Sequence, residues 1–108
     1  MAQTADRLYR MKAEILKALA HPIRLAILET LRGGERCVHE IADEVKAERS
    51  NVSRHLSVMA KAGVLTSRKE GLMVYYGLRT PCMLDFFSCV ENVLRQRLRE
   101  SSALLKTL

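Results

Sequence analysis

Two short amphipathic helices joined by a corner constrain this chain more than any other feature. They occupy residues 39–63, HEIADEVKAERSNVSRHLSVMAKAG. The first helix aligns Ile41, Ala42 and Val45; the second aligns Val52, Leu56, Met59 and Ala60. Apolar residues three and four apart form one stripe, so each helix buries one side. Lys46-Ala47-Glu48-Arg49 leaves room only for a corner between them. The second helix then turns Arg49, Ser50, Asn51, Ser53, Arg54 and Ser57 to solvent. Small donors and acceptors with two arginines near a helix N-terminus suit a DNA major groove, where they meet base edges and phosphates. An ordinary surface helix would show the same stripe. The hairpin that follows favours the DNA reading.

After Gly63 the apolar period changes from 3.6 to 2. Residues 64–69 and 72–78 read as two strands, with Glu70-Gly71 as their turn. A hairpin directly after a recognition-type helix is a wing. Arg68 and Lys69 at its tip would meet phosphate or the minor groove, unless they are idle solvated cations.

The rest of the chain fits around this unit. With 108 residues there is length for one domain, and a hydrophobic fraction of 48% supplies a core. The net charge of +6 suits an acidic partner such as nucleic acid, or an anionic membrane surface. No apolar run approaches the roughly 18–20 residues that span a bilayer. The stretch MAQTADRLYRMKAE has no apolar centre of a secretory signal. Three cysteines in such a chain are expected as thiols of a reducing cytoplasm, not as a disulfide framework.

Residues 6–20 carry Leu8, Met11, Ile15 and Leu19 in one helical stripe, with Leu16 beside it. That stripe would pack on its own domain or on a second subunit. His21-Pro22 breaks this helix and opens the next, over residues 22–31. Its residues Ile23, Leu25, Ala26, Leu28 and Leu31 make it apolar nearly all round, which predicts a buried central helix closed by Gly33-Gly34. His21 is expected to make a local hydrogen bond at the helix start. Cys37-x-x-Glu40 has capping-box spacing, with Cys where Ser or Thr is usual. A thiol at a helix N-terminus is expected to have a lowered pKa, which makes Cys37 a candidate ligand or redox thiol as much as a small buried residue. His39 is a weaker candidate, because residues two apart on a helix do not face each other. Thr80-Pro81 is expected to cap the last helix, residues 81–103. Cys82, Phe86, Cys89 and Val93 form one apolar stripe there, and Met83, Phe87, Val90, Leu94 and Leu98 another. So broad a face points to a homodimer seam, and a dimer would present two recognition helices to two half-sites.

The segments KALAHPIRLAILETL, ERCVHEIADEV, SNVSRHLSVMAKAGVL and SRKEGLMVYYGL, in this order, resemble the ArsR/SmtB family of bacterial winged-helix regulators. The resemblance implies a mainly α fold with a small β-hairpin, a single winged helix-turn-helix domain dimerising through its N- and C-terminal helices. It implies a repressor that binds double-stranded operator DNA and releases it when an inducer binds. Ser50, Asn51, Ser53, Arg54 and His55 would fall on the recognition helix, although His55 could instead be a packed residue.

Many family members carry Cys-Val-Cys at the start of the third helix; here it is Cys37-Val38-His39, so one thiol is missing. Others bind zinc between the last helices through Asp and His. This last helix has Asp85, Glu91 and Glu100 but no His, which argues against that site. Cys37, Cys82 and Cys89 remain as soft ligands, suited to trivalent arsenic or antimony, or to cadmium, lead or copper(I). Seven residues separate Cys82 from Cys89, about 10.5 Å along a helix. Sulfurs on one ion lie within about 4 Å, given bonds of about 2.3 Å. One ion therefore needs a frayed helix start or ligands from two subunits. The same thiols could instead report redox state through a disulfide or polysulfide, or merely pack. No Gly-rich phosphate loop or nucleophile motif suggests an enzyme, and no organic cofactor is expected. A winged helix used only for protein contacts is the other non-enzymatic alternative.

Overall fold

A computed structural model describes residues 3–108. The chain runs α1 (Gln3–Leu19), α2 (Pro22–Thr30), β1 (Arg36–Cys37), α3 (Val38–Val45), α4 (Arg49–Lys61), β2 (Leu65–Glu70), β3 (Met73–Leu78) and α5 (Met83–Lys106). A 3₁₀ turn, Leu31–Gly33, follows α2. The strands form one antiparallel sheet in the order β1-β3-β2. The mainly helical winged helix-turn-helix expected from the sequence is the fold observed. No described helix is long and apolar enough to cross a membrane.

The core lies where α2, α3 and α4 meet. Ile27, Ile41, Val52, Leu56 and Met59 have no exposed surface, and Leu19, Leu28, Leu31, Leu65 and Leu84 close around them. The stripes read from α3 and α4 are therefore the buried sides of those helices. Lys46 takes the left-handed conformation (φ 57°) that ends α3, and the Ala47 N–H returns to the Ala42 carbonyl at 3.1 Å.

Several expectations need correction. The helix α2 is not buried all round: Leu25 and Ala26 are exposed. Leu25 instead lines an outer groove with Phe87, Val90 and Leu94 of α5. The short strand β1, which pairs Arg36 with Tyr76 and Cys37 with Tyr75, is additional to the hairpin. The hairpin loop is Gly71-Leu72, not Glu70-Gly71, since Glu70 still pairs with Met73. The last helix begins at Met83 and reaches Lys106. Thr80 is not its cap: the Met83 N–H bonds to the Thr80 carbonyl, and the Leu84 N–H to the Pro81 carbonyl, in a tight turn ahead of the helix. Only Leu84 of α5 is fully buried, and it lies in neither expected stripe. Leu8, Met11, Ile15 and Leu16 of α1 and Phe86, Val90, Val93, Leu94 and Leu98 of α5 are all exposed in the single protomer.

A polar contact fixes α4 against α2. The N-cap of α2, His21, is extended (φ −153°), and its Nδ1 accepts the Ile23 N–H at 3.1 Å. This is the local bond expected of it. The His55 ring of α4 lies 4.4 Å from the His21 ring, and its Nδ1 accepts from Arg24 Nε at 3.0 Å. Arg24 also donates to the Ala18 carbonyl at 3.1 Å. His55 must be neutral to accept this bond. Burial lowers its pKa, and the neighbouring charges of His21, Arg24 and Arg54 act in the same direction.

Two outcomes follow from this packing. Leu56→Ala should cost about 2–5 kcal/mol, read as a lower urea midpoint with an unchanged slope at fixed protein concentration. The depressed His55 pKa means that the unfolded chain takes up the proton first as pH falls. Its stabilising effect is therefore complete above about pH 6.5 and is lost as pH falls through the lower folded value. Thermal melts between pH 7 and pH 5 should show this decline, and His55→Gln should flatten it. An equally steep decline in the variant would remove His55 as its source.

Candidate functional site

The outer side of α4 is polar because its inner side is not. Arg49, Ser50, Ser53, Arg54 and Ser57 are exposed, and Asn51 is half-buried. Arg49 and Ser50 form the first turn of α4, where the helix dipole is positive and backbone N–H groups lack helical partners. Among the described residues Arg49, Arg54 and Lys69 take part in no ion pair. The outer side of α4 thus offers unpaired cations and hydrogen-bonding side chains at a helix N-terminus.

Two of the expected contact residues are engaged elsewhere. His55 turns its acceptor toward Arg24, not outward. Arg68 is not a free wing-tip cation. Its guanidinium bonds to Glu70 at 2.7 Å and Glu35 at 2.8 Å and lies 4.8 Å over the Tyr75 ring. Bonds to those two carboxylates raise its pKa further. Glu35 also fills the space above Gly77, where an added Cβ would meet its Cγ at 3.1 Å. Glu35 is the residue that sequence reasoning missed. Its signal lies in the β1 pairing, which brings the start of that strand beside the wing.

The thiols are dispersed. Cys37 is the N-cap of α3 and is 2% exposed. The Glu40 carboxylate accepts from the Cys37 N–H at 3.1 Å and from its Sγ–H at 3.0 Å. Burial pushes the Cys37 thiol up, and the bond to Glu40 adds to this. The lowering expected from the helix terminus is therefore overturned, because desolvation and an adjacent anion both oppose the thiolate. His39 also departs from expectation: its Nδ1 is 3.3 Å from Cys37 Sγ. The two face each other because Cys37 is extended (φ −84°, ψ 166°) and lies outside the helix. They border a cleft of about 210 Å³ with Val38, Arg49, Leu72, Met73 and Val74.

Neither Cys82 nor Cys89 lines that cleft. Both are free and exposed, Cys82 at the N-cap of α5 and Cys89 two turns along it. Among the described residues no group of three or more His, Cys, Asp or Glu side chains could hold a metal ion. One protomer thus does not assemble Cys37, Cys82 and Cys89 into a three-thiolate site.

Comparison with known proteins agrees with this architecture. Residues 21–67 match the family described as bacterial regulatory protein, arsR family. The uncharacterized HTH-type transcriptional regulator Rv0081 of Mycobacterium tuberculosis is 36% identical over 105 residues, which cover 96% of this chain and 92% of that protein. Its crystal structure aligns with a TM-score of 0.74 at 37% identity, over 86% of this chain and 94% of that one. The homodimeric winged helix-turn-helix DNA-binding domain Mb0332 of Mycobacterium bovis aligns with a TM-score of 0.78 at 29% identity, over 93% of each chain. The transcriptional repressor SmtB of M. tuberculosis is 45% identical over 65 residues, 60% of this chain and 48% of that protein. The chain belongs to the arsR family of bacterial regulatory proteins: it is a winged helix-turn-helix transcriptional regulator, not an enzyme.

Proposed function

We propose that this regulator is a homodimeric repressor that holds operator DNA until a thiophilic metalloid or metal, foremost trivalent arsenic or antimony, binds its cysteines. Arg49, Ser50, Asn51, Ser53, Arg54 and Ser57 would read the major groove, and Lys69 would meet phosphate beside it. His55 and Arg68 would act indirectly, by fixing α4 and the wing. The dimer would form through the exposed apolar sides of α1 and α5. The DNA-binding domain Mb0332, which is homodimeric, supports this reading.

The observation that carries the sensing proposal is the position of Cys82 and Cys89, free and exposed at the N-cap and two turns along the helix whose apolar side is exposed in the protomer. Since one protomer does not gather three thiols, the ligands would come from both subunits. A solved relative, 31% identical with a TM-score of 0.62 over 74% of this chain and 83% of that one, is described as a possible transcriptional regulator for arsenical resistance. An inducer bound across the dimer would lower operator affinity by as much as it prefers the spacing unsuited to DNA. Exposed thiols on two adjoining helices also favour a second reading, in which an oxidant or polysulfide joins them.

Anaerobic titration of the reduced protein with arsenite separates the two. The metalloid reading expects a near-ultraviolet sulfur–arsenic band that saturates at about one equivalent per chain, the most that three thiols per chain allow at three per ion, with matching release of labelled operator. C82S and C89S should keep operator binding and lose induction. Release only by an oxidant or polysulfide, with no band, would establish the redox reading. Loss of DNA binding in each cysteine variant would remove both.

A further inference from the structure

The wing tip carries an exposed leucine that the fold itself does not require. The two long strands pair continuously from Leu65 opposite Leu78 to Glu70 opposite Met73. Only Gly71 and Leu72 lie between them. Gly71 has φ 61°, the left-handed geometry that a two-residue hairpin loop with glycine first demands. Leu72 follows and is 99% exposed. A loop closed by Gly71 accepts a polar residue at its second position as readily, so the turn does not explain the leucine.

The charges beside Leu72 narrow what it can meet. Glu70, next to the loop, and Glu35 share the Arg68 guanidinium at 2.7 and 2.8 Å, which commits the arginine and leaves one net negative charge on the three groups. Lys69, exposed beside them, offsets that charge. The tip is thus one apolar side chain among charges that cancel, with Lys69 its one cation outside an ion pair among the described residues. It is also close to the reading helix: Leu72 and Met73 border the same cleft as Arg49, the first residue of α4. A duplex seated on the N-terminal end of α4 would lie beside the cleft that Leu72 borders.

We infer that Leu72 is an apolar wedge that the wing carries into the minor groove flanking the half-site read by α4. The inference rests on the operator-binding reading above. Minor-groove proteins insert leucine and similar side chains between base pairs, partly unstack them and bend the duplex. Opening a base step is easiest at flexible pyrimidine–purine steps. The wedge therefore gives sequence preference at a position that α4 does not touch.

The test begins with duplexes selected by the wild-type chain from a random library. The selected duplex, fluorescein-labelled, is titrated with wild type and Leu72→Ala and followed by anisotropy. A second copy carries 2-aminopurine at the flanking step. The wedge predicts about tenfold weaker binding by L72A, which corresponds to about 1.4 kcal/mol, with the salt dependence unchanged because no phosphate contact is lost. It also predicts that 2-aminopurine brightens with wild type and stays quenched with L72A. Equal affinity of the two proteins, or equal fluorescence, overturns the wedge while leaving operator binding intact. A wild-type chain that selects no sequence overturns operator binding, and the wedge with it. Leu72 is solvent-exposed, so L72A removes no core contact.

Discussion

Burial of one side of α4 governs what its other side can do. Val52, Leu56 and Met59 are wholly enclosed by the neighbouring helices. A helix held at these points cannot roll about its axis without exposing all three. The outward direction of Ser50, Ser53, Arg54 and Ser57 is thus a consequence of hydrophobic packing, not of any contact they make. His21, Arg24 and His55 add a directional element to that packing. Hydrophobic burial alone tolerates small shifts, whereas a hydrogen bond from Arg24 to one imidazole nitrogen sets distance and angle together. The outer side of α4 is set in direction because its reverse side is packed into the core and hydrogen-bonded at one defined point.

Net positive charge is a poor guide to where DNA would sit. Arg10, Arg32, Arg36, Arg68 and Arg95 all pair with carboxylates. Those pairs are exposed, so each contributes little to stability, but each removes a cation from the set available to phosphate. What remains at the reading surface is Arg49, Arg54 and Lys69. Arg68 shows the distinction well. In the sequence it is a cation near a hairpin tip; in the fold it joins Glu35, Glu70 and Tyr75 and sets the wing's orientation.

The parts of this molecule legible in the sequence are those governed by local period. The helix pair with its corner, the switch to alternation after Gly63, and the His21-Pro22 break all depend on residues within a few positions of one another. Features that depend on distant residues were not legible. A strand of two residues, Arg36–Cys37, has no period, and exists because Tyr75 and Tyr76 pair with it. Glu35 meets Arg68 from 33 positions away. The second side of α2 is apolar in sequence yet exposed, because the core takes Ile27 and Leu28, with Ile23 packed against it, and leaves Leu25 to the groove beside α5. Among the candidate ligands, the residue types were readable but their chemistry was not. Helix-terminus position and burial act on Cys37 in opposite directions, and only the fold shows that burial and Glu40 prevail.

The attachment of α5 bears on how any signal at its thiols would travel. Leu84 alone of this helix is fully enclosed, with Met83 and Phe87 partly packed beside it. These three lie in its first turns, so the helix is anchored at one end. Beyond Phe87 no described residue of α5 is buried: Val90 and Leu94 border the groove beside Leu25 of α2, and the length to Leu105 is otherwise exposed. Residues that pair two copies along this free length would set the angle between two reading heads without entering the core of either. A ligand on Cys89 would therefore act on the dimer angle more readily than on the fold. Cys37 occupies the opposite case. It is buried beside Arg49 and the wing, and any modification of its sulfur removes the Sγ–H that the Glu40 carboxylate of the α3 cap accepts. For the sensing role proposed above, release of DNA and later rebinding are better served by the first arrangement. Shifting the balance between two dimer geometries is reversible by mass action and needs only differential affinity, whereas opening the α3 cap loosens the element that holds α4 in place.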